Sequence, residues 1–202
     1  MLRLVLACAL AAPAAVSFAA TLLVYGDSLS AGYGLPREQG WVHLLEQRLR
    51  AEKLDYKVVN ASISGETTVG GVTRIDAALR AHRPALVILE LGGNDGLRGA
   101  TPDSIRANLE AIGDACRRAG ARVLLVGVRL PPNYGAPYTE QFEAVFRAVA
   151  RSRKLPLVPF LLDGFALDRE LFQPDGIHPT AAAQPLMLET VWKELRPMLK
   201  QR

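Results

Sequence analysis

Five short runs of almost unbroken apolar residues constrain the fold more than anything else in this chain. They are Thr21-Leu22-Leu23-Val24-Tyr25, Lys57-Val58-Val59, Ala85-Leu86-Val87-Ile88-Leu89, Arg122-Val123-Leu124-Leu125-Val126 and Leu157-Val158-Pro159-Phe160. A strand with one wet face alternates apolar and polar residues. These runs do not, so they read as strands buried on both faces. Helices must cover those faces, and the intervening segments supply them. Val42, Leu45 and Leu49 recur at helical spacing, as do Val72, Ile75 and Leu79. Ile105, Leu109, Ile112 and Cys116 form a third stripe, and Phe142, Val145 and Val149 a fourth. Residues 180–199 predict a closing helix, bent or ended by Pro185 and Pro197. Thr101-Pro102 reads as a helix start and Gly120 as a stop. Strands alternating with helices in this way predict βαβ units and a parallel sheet with helices on both sides.

Composition narrows the class without naming a function. The 202 residues are 50% apolar and 22% charged, which suits one folded domain and argues against a disordered or collagenous chain. Aromatic residues make up only 6%, and the arginines behind the net charge of +4 are scattered, so a nucleic-acid partner is not expected. The N-terminus has a separate pattern. Met1-Leu2-Arg3 gives a positive start, residues 4–12 an apolar stretch, Pro13 a break, and Ser17-Phe18-Ala19 small residues before a cut. That is a secretory signal peptide over residues 1–19, leaving one domain over 20–202. The apolar stretch is too short to span a bilayer. Lipid anchoring at Cys8 is the weaker reading, because few apolar residues precede it. Cleavage leaves Cys116 alone on an apolar stripe, where a buried structural thiol is expected and no disulfide.

In an open parallel sheet, ligands bind beyond the carboxyl ends of the strands, near the point where strand order reverses. Four strand ends carry polar residues among glycines: 26–34 beginning Gly26-Asp27-Ser28-Leu29, 60–67 containing Ser64-Gly65, 91–96 containing Gly93-Asn94-Asp95, and 173–179 containing Asp175-Gly176-Ile177-His178. An Asp three residues before a His can accept the Nδ1 proton and leave Nε2 outward as a base. Ser28, directly after a buried strand, supplies a hydroxyl nucleophile. Gly65 offers a backbone N–H, and Asn94 a side-chain amide, as donors to a developing oxyanion. Taken singly, each block is also an ordinary turn. His43, inside a helical pattern, and His82, near a helix end, read as structural. The spacing lacks a dinucleotide fingerprint, a phosphate-binding loop and a Gly-x-Ser-x-Gly elbow, and no residue set suggests a metal.

Together the four blocks resemble the SGNH, or GDSL-type, hydrolases. The longer runs Val58 to Gly65, Glu90 to Gly99, Arg129-Leu130-Pro131 and Asp175 to Pro179 are similar to the bacterial periplasmic thioesterase and lysophospholipase branch of that family. The resemblance implies a three-layer α/β/α, flavodoxin-like fold with a five-stranded parallel sheet in order 2-1-3-4-5. It implies Ser28 as nucleophile, His178 as general base and acid, and Asp175 as its orienting partner. The oxyanion hole would be the Ser28 and Gly65 N–H groups with the Asn94 amide. Substrate contacts would come from Asp27, Leu29, Gly96, Leu97, Arg98, Leu130 and Pro131, with residues 96–99 matching a mobile loop and Leu130-Pro131 an acyl-groove wall. The expected substrates are small acyl esters, thioesters and lysophospholipids, with no cofactor. A periplasmic monomer in transient contact with membrane lipid is the expected setting. A carbohydrate O-acetylesterase on the same scaffold and a non-catalytic lipid-binding envelope protein are the alternatives.

Overall fold

The computed structural model describes residues 19–199, so Cys8 and all but the last residue of the expected leader lie outside the described residues. Five strands pair in parallel, in the order β2-β1-β3-β4-β5: β1 (Ala20–Gly26), β2 (Tyr56–Asn60), β3 (Leu86–Glu90), β4 (Arg122–Val126) and β5 (Leu157–Val158). Seven α-helices are present among the described residues. They are α1 (Ser28–Ala31), α2 (Trp41–Ala51), α3 (Thr68–His82), α4 (Gly93–Leu97), α5 (Pro102–Arg118), α6 (Ala136–Arg153) and α7 (Gln184–Leu195). This is the flavodoxin-like order that the family resemblance implies.

The unalternating strands are explained by two cores, one on each face of the sheet. Leu23, Tyr25, Val87, Leu89, Val123 and Leu125 face α3, α5 and α6 through Ile75, Ile112 and Phe146. Their neighbours Leu22, Val24, Leu86, Ile88, Leu124 and Val126 face α2 and α7 through Trp41, Leu45, Met187 and Trp192. Successive side chains point to opposite faces, so a strand covered on both must be apolar throughout. Cys116 is fully buried within the first core, and burial pushes its thiol up to about 12.

Three local expectations need correction. The fifth run pairs only at Leu157 and Val158, because Pro159 has no N–H for the ladder. Val72 is 37% exposed; the buried row on α3 is Thr68, Gly71, Ile75 and Leu79, and a Cβ on Gly71 would meet Leu91 Cδ1 at 2.6 Å. Residues 180–199 are not one helix. A 3-10 turn (Ala181–Ala183) leads into α7, and a second (Arg196–Met198) follows it. Pro185 stands in the first turn of α7, where its missing N–H is harmless, so it starts the helix rather than bending it. The cap at α5 matches expectation: Thr101 Oγ1 accepts from Ser104 N at 3.3 Å, and Gly120 follows the last turn at φ 79°.

Candidate active site

Strand β1 lies between β2 and β3, so the order reverses at its carboxyl end, and the turn carrying Ser28 begins there. Asp27 caps α1, its Oδ1 accepting from Leu29 N at 3.0 Å, and Ser28 is the first helical residue. The first N–H groups of a helix have no intrahelical acceptor. Accordingly, Ser28 N–H finds no partner among the described residues, and neither does Gly65 N–H. Beneath the turn, Gly26 sits opposite Glu90 in register, and a Cβ on Gly26 would lie 2.7 Å from Glu90 Oε2. Glycine is required there because the Glu90 carboxyl occupies that space. Glu90 Oε2 accepts from Ser30 Oγ at 2.7 Å and Asp27 N at 3.4 Å, so one carboxyl grips the turn on both sides of Ser28.

Glu90 and Asp27 are both buried, and their electrostatics differ. Burial pushes Glu90 well above the carboxylate range, and the neighbouring Asp27 charge adds to the rise. Glu90 Oε1 makes no hydrogen bond among the described residues, which suits a neutral acid far better than a buried charge. Asp27 is raised to about 6 by burial, against the pull of the Leu29 N–H, His178 and Asn94. Of the two, Glu90 is the carboxyl held more strongly toward its neutral form.

On the other side of Ser28, the loop after β5 carries the imidazole. Asp175 Oδ1 accepts from Ile177 N (2.9 Å) and His178 N (3.0 Å), closing a tight turn, while Oδ2 meets His178 Nδ1 at 2.6 Å. Desolvation pushes the Asp175 pKa up, but these three hydrogen bonds win and hold it near 2. His178 Nε2 lies 2.9 Å from Ser28 Oγ. Carboxylate, imidazole and hydroxyl thus form one hydrogen-bonded line, and the ring of Tyr33 covers the imidazole at 4.4 Å.

Asn94, on α4, donates through Nδ2 to Glu66 O (3.0 Å) and Asp27 Oδ2 (3.2 Å). Both amide protons are engaged, so any further acceptor must share one of them. The 61–66 loop that carries Gly65 is pinned from α3: Arg74 pairs with Glu66, donates to Ala61 O at 2.9 Å, and lies over the Tyr25 ring. Asp95 is buried and accepts from Thr68 N (2.8 Å) and Thr68 Oγ1 (2.5 Å), locking α4 to the start of α3. The structure brings the expected Ser28, Asn94, Asp175 and His178 together with the loop of Gly65, and sets beside them Glu90, Arg74 and Tyr33, which the sequence reading did not single out.

The residues expected to touch substrate are placed unevenly. Asp27 is buried and turned toward Leu29 and Asn94, so its carboxylate acts on the amide. Leu29 and Leu97 are half-buried against the core. Gly96 packs beneath Leu130: a Cβ there would meet Leu130 Cδ2 at 2.7 Å and Phe142 Cε2 at 2.6 Å. Pro131 is exposed. Arg98 is exposed and donates to Gly65 O at 3.3 Å. The 96–100 carbonyls are held by two hydroxyls, Tyr134 Oη to Leu97 O (3.1 Å) and Tyr138 Oη to Ala100 O (2.7 Å).

The fold and this site together define a hydrolase of ester bonds on a flavodoxin-like scaffold. The model of the GDSL-like lipase/acylhydrolase family matches residues 24–185, and the chain belongs to that family. It is 54% identical over 181 residues to the esterase TesA of Pseudomonas aeruginosa, covering 90% of each chain. It is 42% identical over 179 residues to thioesterase 1/protease 1/lysophospholipase L1 of Escherichia coli, covering 89% of this chain and 85% of that one. The psychrotrophic esterase EstA of a Pseudoalteromonas species, solved with monoethylphosphonate as inhibitor, superposes with a TM-score of 0.84. Its sequence is 39% identical, over 88% of this chain and 97% of that one.

Proposed function

We propose that the protein is a serine esterase and thioesterase that works through an acyl-enzyme on Ser28. The observation that carries this reading is the line from Ser28 Oγ through His178 to Asp175, at 2.9 and 2.6 Å. Ser28 Oγ attacks the acyl carbonyl while His178 Nε2 takes its proton; Asp175 fixes the ring and balances the imidazolium. The developing oxyanion meets the free N–H groups of Ser28 and Gly65 and one proton of the Asn94 amide. His178 then protonates the leaving alcohol or thiol. Water, deprotonated by the same nitrogen, releases the acid.

The proposed substrates are acyl esters, acyl thioesters and lysophospholipids, taken up by an exported, monomeric enzyme after removal of residues 1–19. Names of relatives and exposed apolar side chains near the site support this: Ile177, beside His178, is 44% exposed, and Ile63, whose N–H bonds to Gly26 O, is 50% exposed.

Two measurements test the reading. Intact-mass and peptide analysis after treatment with paraoxon should place one phosphoryl adduct on Ser28; an adduct elsewhere, or none, refutes the nucleophile. A series of 4-nitrophenyl esters should show kcat/KM rising from acetyl to longer chains, since each buried CH2 contributes about 0.8 kcal/mol. A preference for acetyl would instead favour the O-acetylesterase alternative.

A further inference from the structure

Gln173 precedes His178 by five residues and takes no part in the chemistry proposed above, yet it touches both halves of the site. Its Nε2 donates to Tyr33 O at 2.8 Å and to Pro179 O at 3.2 Å. Its backbone N–H donates to His178 O at 2.7 Å, and its carbonyl accepts from Gly176 N at 2.8 Å. Tyr33 N in turn donates to Ser28 O at 3.1 Å. These contacts close a ring: Ser28 to Tyr33, Tyr33 to Gln173, Gln173 to His178, and His178 Nε2 back to Ser28 Oγ at 2.9 Å. The last side of that ring is the proton-transfer contact itself.

The surroundings are shaped to admit this side chain. A Cβ on Gly34 would lie 2.3 Å from Gln173 Oε1, so any other residue there would displace the carboxamide. Two carbonyls need two N–H donors from one group, and a carboxamide supplies them where a carboxylate or thioether supplies none. The rest of the base loop is held mainly to itself and to α7. Thr180 N donates to Leu171 O at 2.8 Å, and Gln184 Nε2 to Thr180 O at 3.3 Å. Gln173 therefore bridges two segments, 140 residues apart, whose relative position decides whether Ser28 and His178 meet.

We infer that Gln173 is a positioning residue for the reaction, a splint that fixes His178 Nε2 against Ser28 Oγ by joining the nucleophile turn to the base loop. The inference rests on the reading of Ser28 and His178 as nucleophile and base. A reacting group misplaced by about 1 Å can lose about 100-fold in rate. Loss of the splint should therefore appear in the chemical step and leave substrate affinity alone. A residue that merely stabilised the loop would lower the melting temperature and leave kcat per folded molecule unchanged.

The test uses the full chain with Gln173→Met, which keeps length and removes both donors, and Gln173→Asn, whose amide is one CH2 too short. Gly34→Ala attacks the same contact from its other side, and Ser28→Ala serves as control. Two readouts are needed: kcat and KM on 4-nitrophenyl butyrate, and the second-order rate of inactivation by paraoxon, which reports nucleophile activation without turnover. Gln173→Met should lose up to about 100-fold in both kcat and inactivation rate with KM near the wild-type value. The Asn and Ala variants should fall in the same direction. Wild-type kcat and inactivation rate in folded Gln173→Met overturn the inference. Should that variant not fold, the same result in Gln173→Asn and Gly34→Ala overturns it equally. An inactive Ser28→Ala then leaves the catalytic reading standing, whereas an active one removes that reading itself.

Discussion

The two aspartates that serve Ser28 sit in opposite environments. Asp27 is 2% exposed on the strand-built side of the site, and burial raises it to about 6. The Asp175 side chain is 38% exposed on the loop-built side; desolvation raises it, but the hydrogen bonds from His178 and Ile177 together outweigh that and carry it down to about 2. One side holds its donors by a buried acid under strain, the other its base by an acid that is comfortable as an anion. The comparison separates where charge is forced from where it is favoured. The oxyanion side is built from strand ends β1, β2 and β3 and pinned by Glu90 and Arg74. The base side is a loop whose geometry comes from its own local hydrogen bonds and one bridging glutamine.

The sharpest way to break the loop side is Asp175→Asn. The carboxylate accepts three hydrogen bonds, one of them from the imidazole that becomes cationic in the proposed mechanism. An amide in its place can present a donor to Nδ1 and favour the wrong tautomer, so kcat should fall about 10⁴-fold with KM little changed. Steady-state kinetics on a 4-nitrophenyl ester decides this, and a loss under tenfold would mean that Asp175 does not orient the base.

Much of this division was legible beforehand, for reasons that particular residues make plain. Unalternating runs mark strands covered on both faces, which predicts a parallel sheet between helix layers, whereas the strand order came only with the family resemblance. Ser28, Gly65 and Asn94 stand out as candidates because strand ends in such sheets face ligands. Asp175 and His178 stand out because their contact is local in sequence. Gln173 could not: its decisive partner, Tyr33, is 140 residues away, and glutamine carries no chemical signature. Glu90 does leave a signal in the sequence, an acid closing a strand that is buried at every position. Val72 lies off the buried row because that row runs from Thr68 through Gly71, and neither a threonine nor a glycine registers in a hydrophobic count.

On the strand-built side the corresponding break is Asn94→Ala. Its amide is already shared between Asp27 and Glu66, and losing it removes one of three oxyanion donors. Removal of one such donor costs about 10²- to 10³-fold in kcat. KM should hold, because the charge it stabilises develops only in the transition state. A variant with near-normal kcat would leave the oxyanion to Ser28 N–H and Gly65 N–H alone.

The smallest effect sharpens the contrast most. Asp27→Asn keeps an oxygen for Leu29 N–H but turns a donor toward Asn94, so kcat should fall only about tenfold, the equivalent of about one hydrogen bond. Stability should respond with the opposite sign in part of the pH range. With its pKa raised in the fold, Asp27 binds a proton between about pH 4 and 6 that the unfolded chain has released, so native stability drops as pH rises through that window. Asp175, lowered, contributes stability above about pH 4 that is lost as pH falls toward 2. Thermal denaturation from pH 3 to 8 should therefore show the melting temperature of Asp27→Asn gaining on the wild type between pH 4 and 6. That of Asp175→Asn should instead lie furthest below the wild type above pH 4 and converge with it on acidification. Parallel curves for wild type and Asp27→Asn across pH 4 to 6 would show that Asp27 is not held against its charge, and the contrast between the two aspartates would collapse.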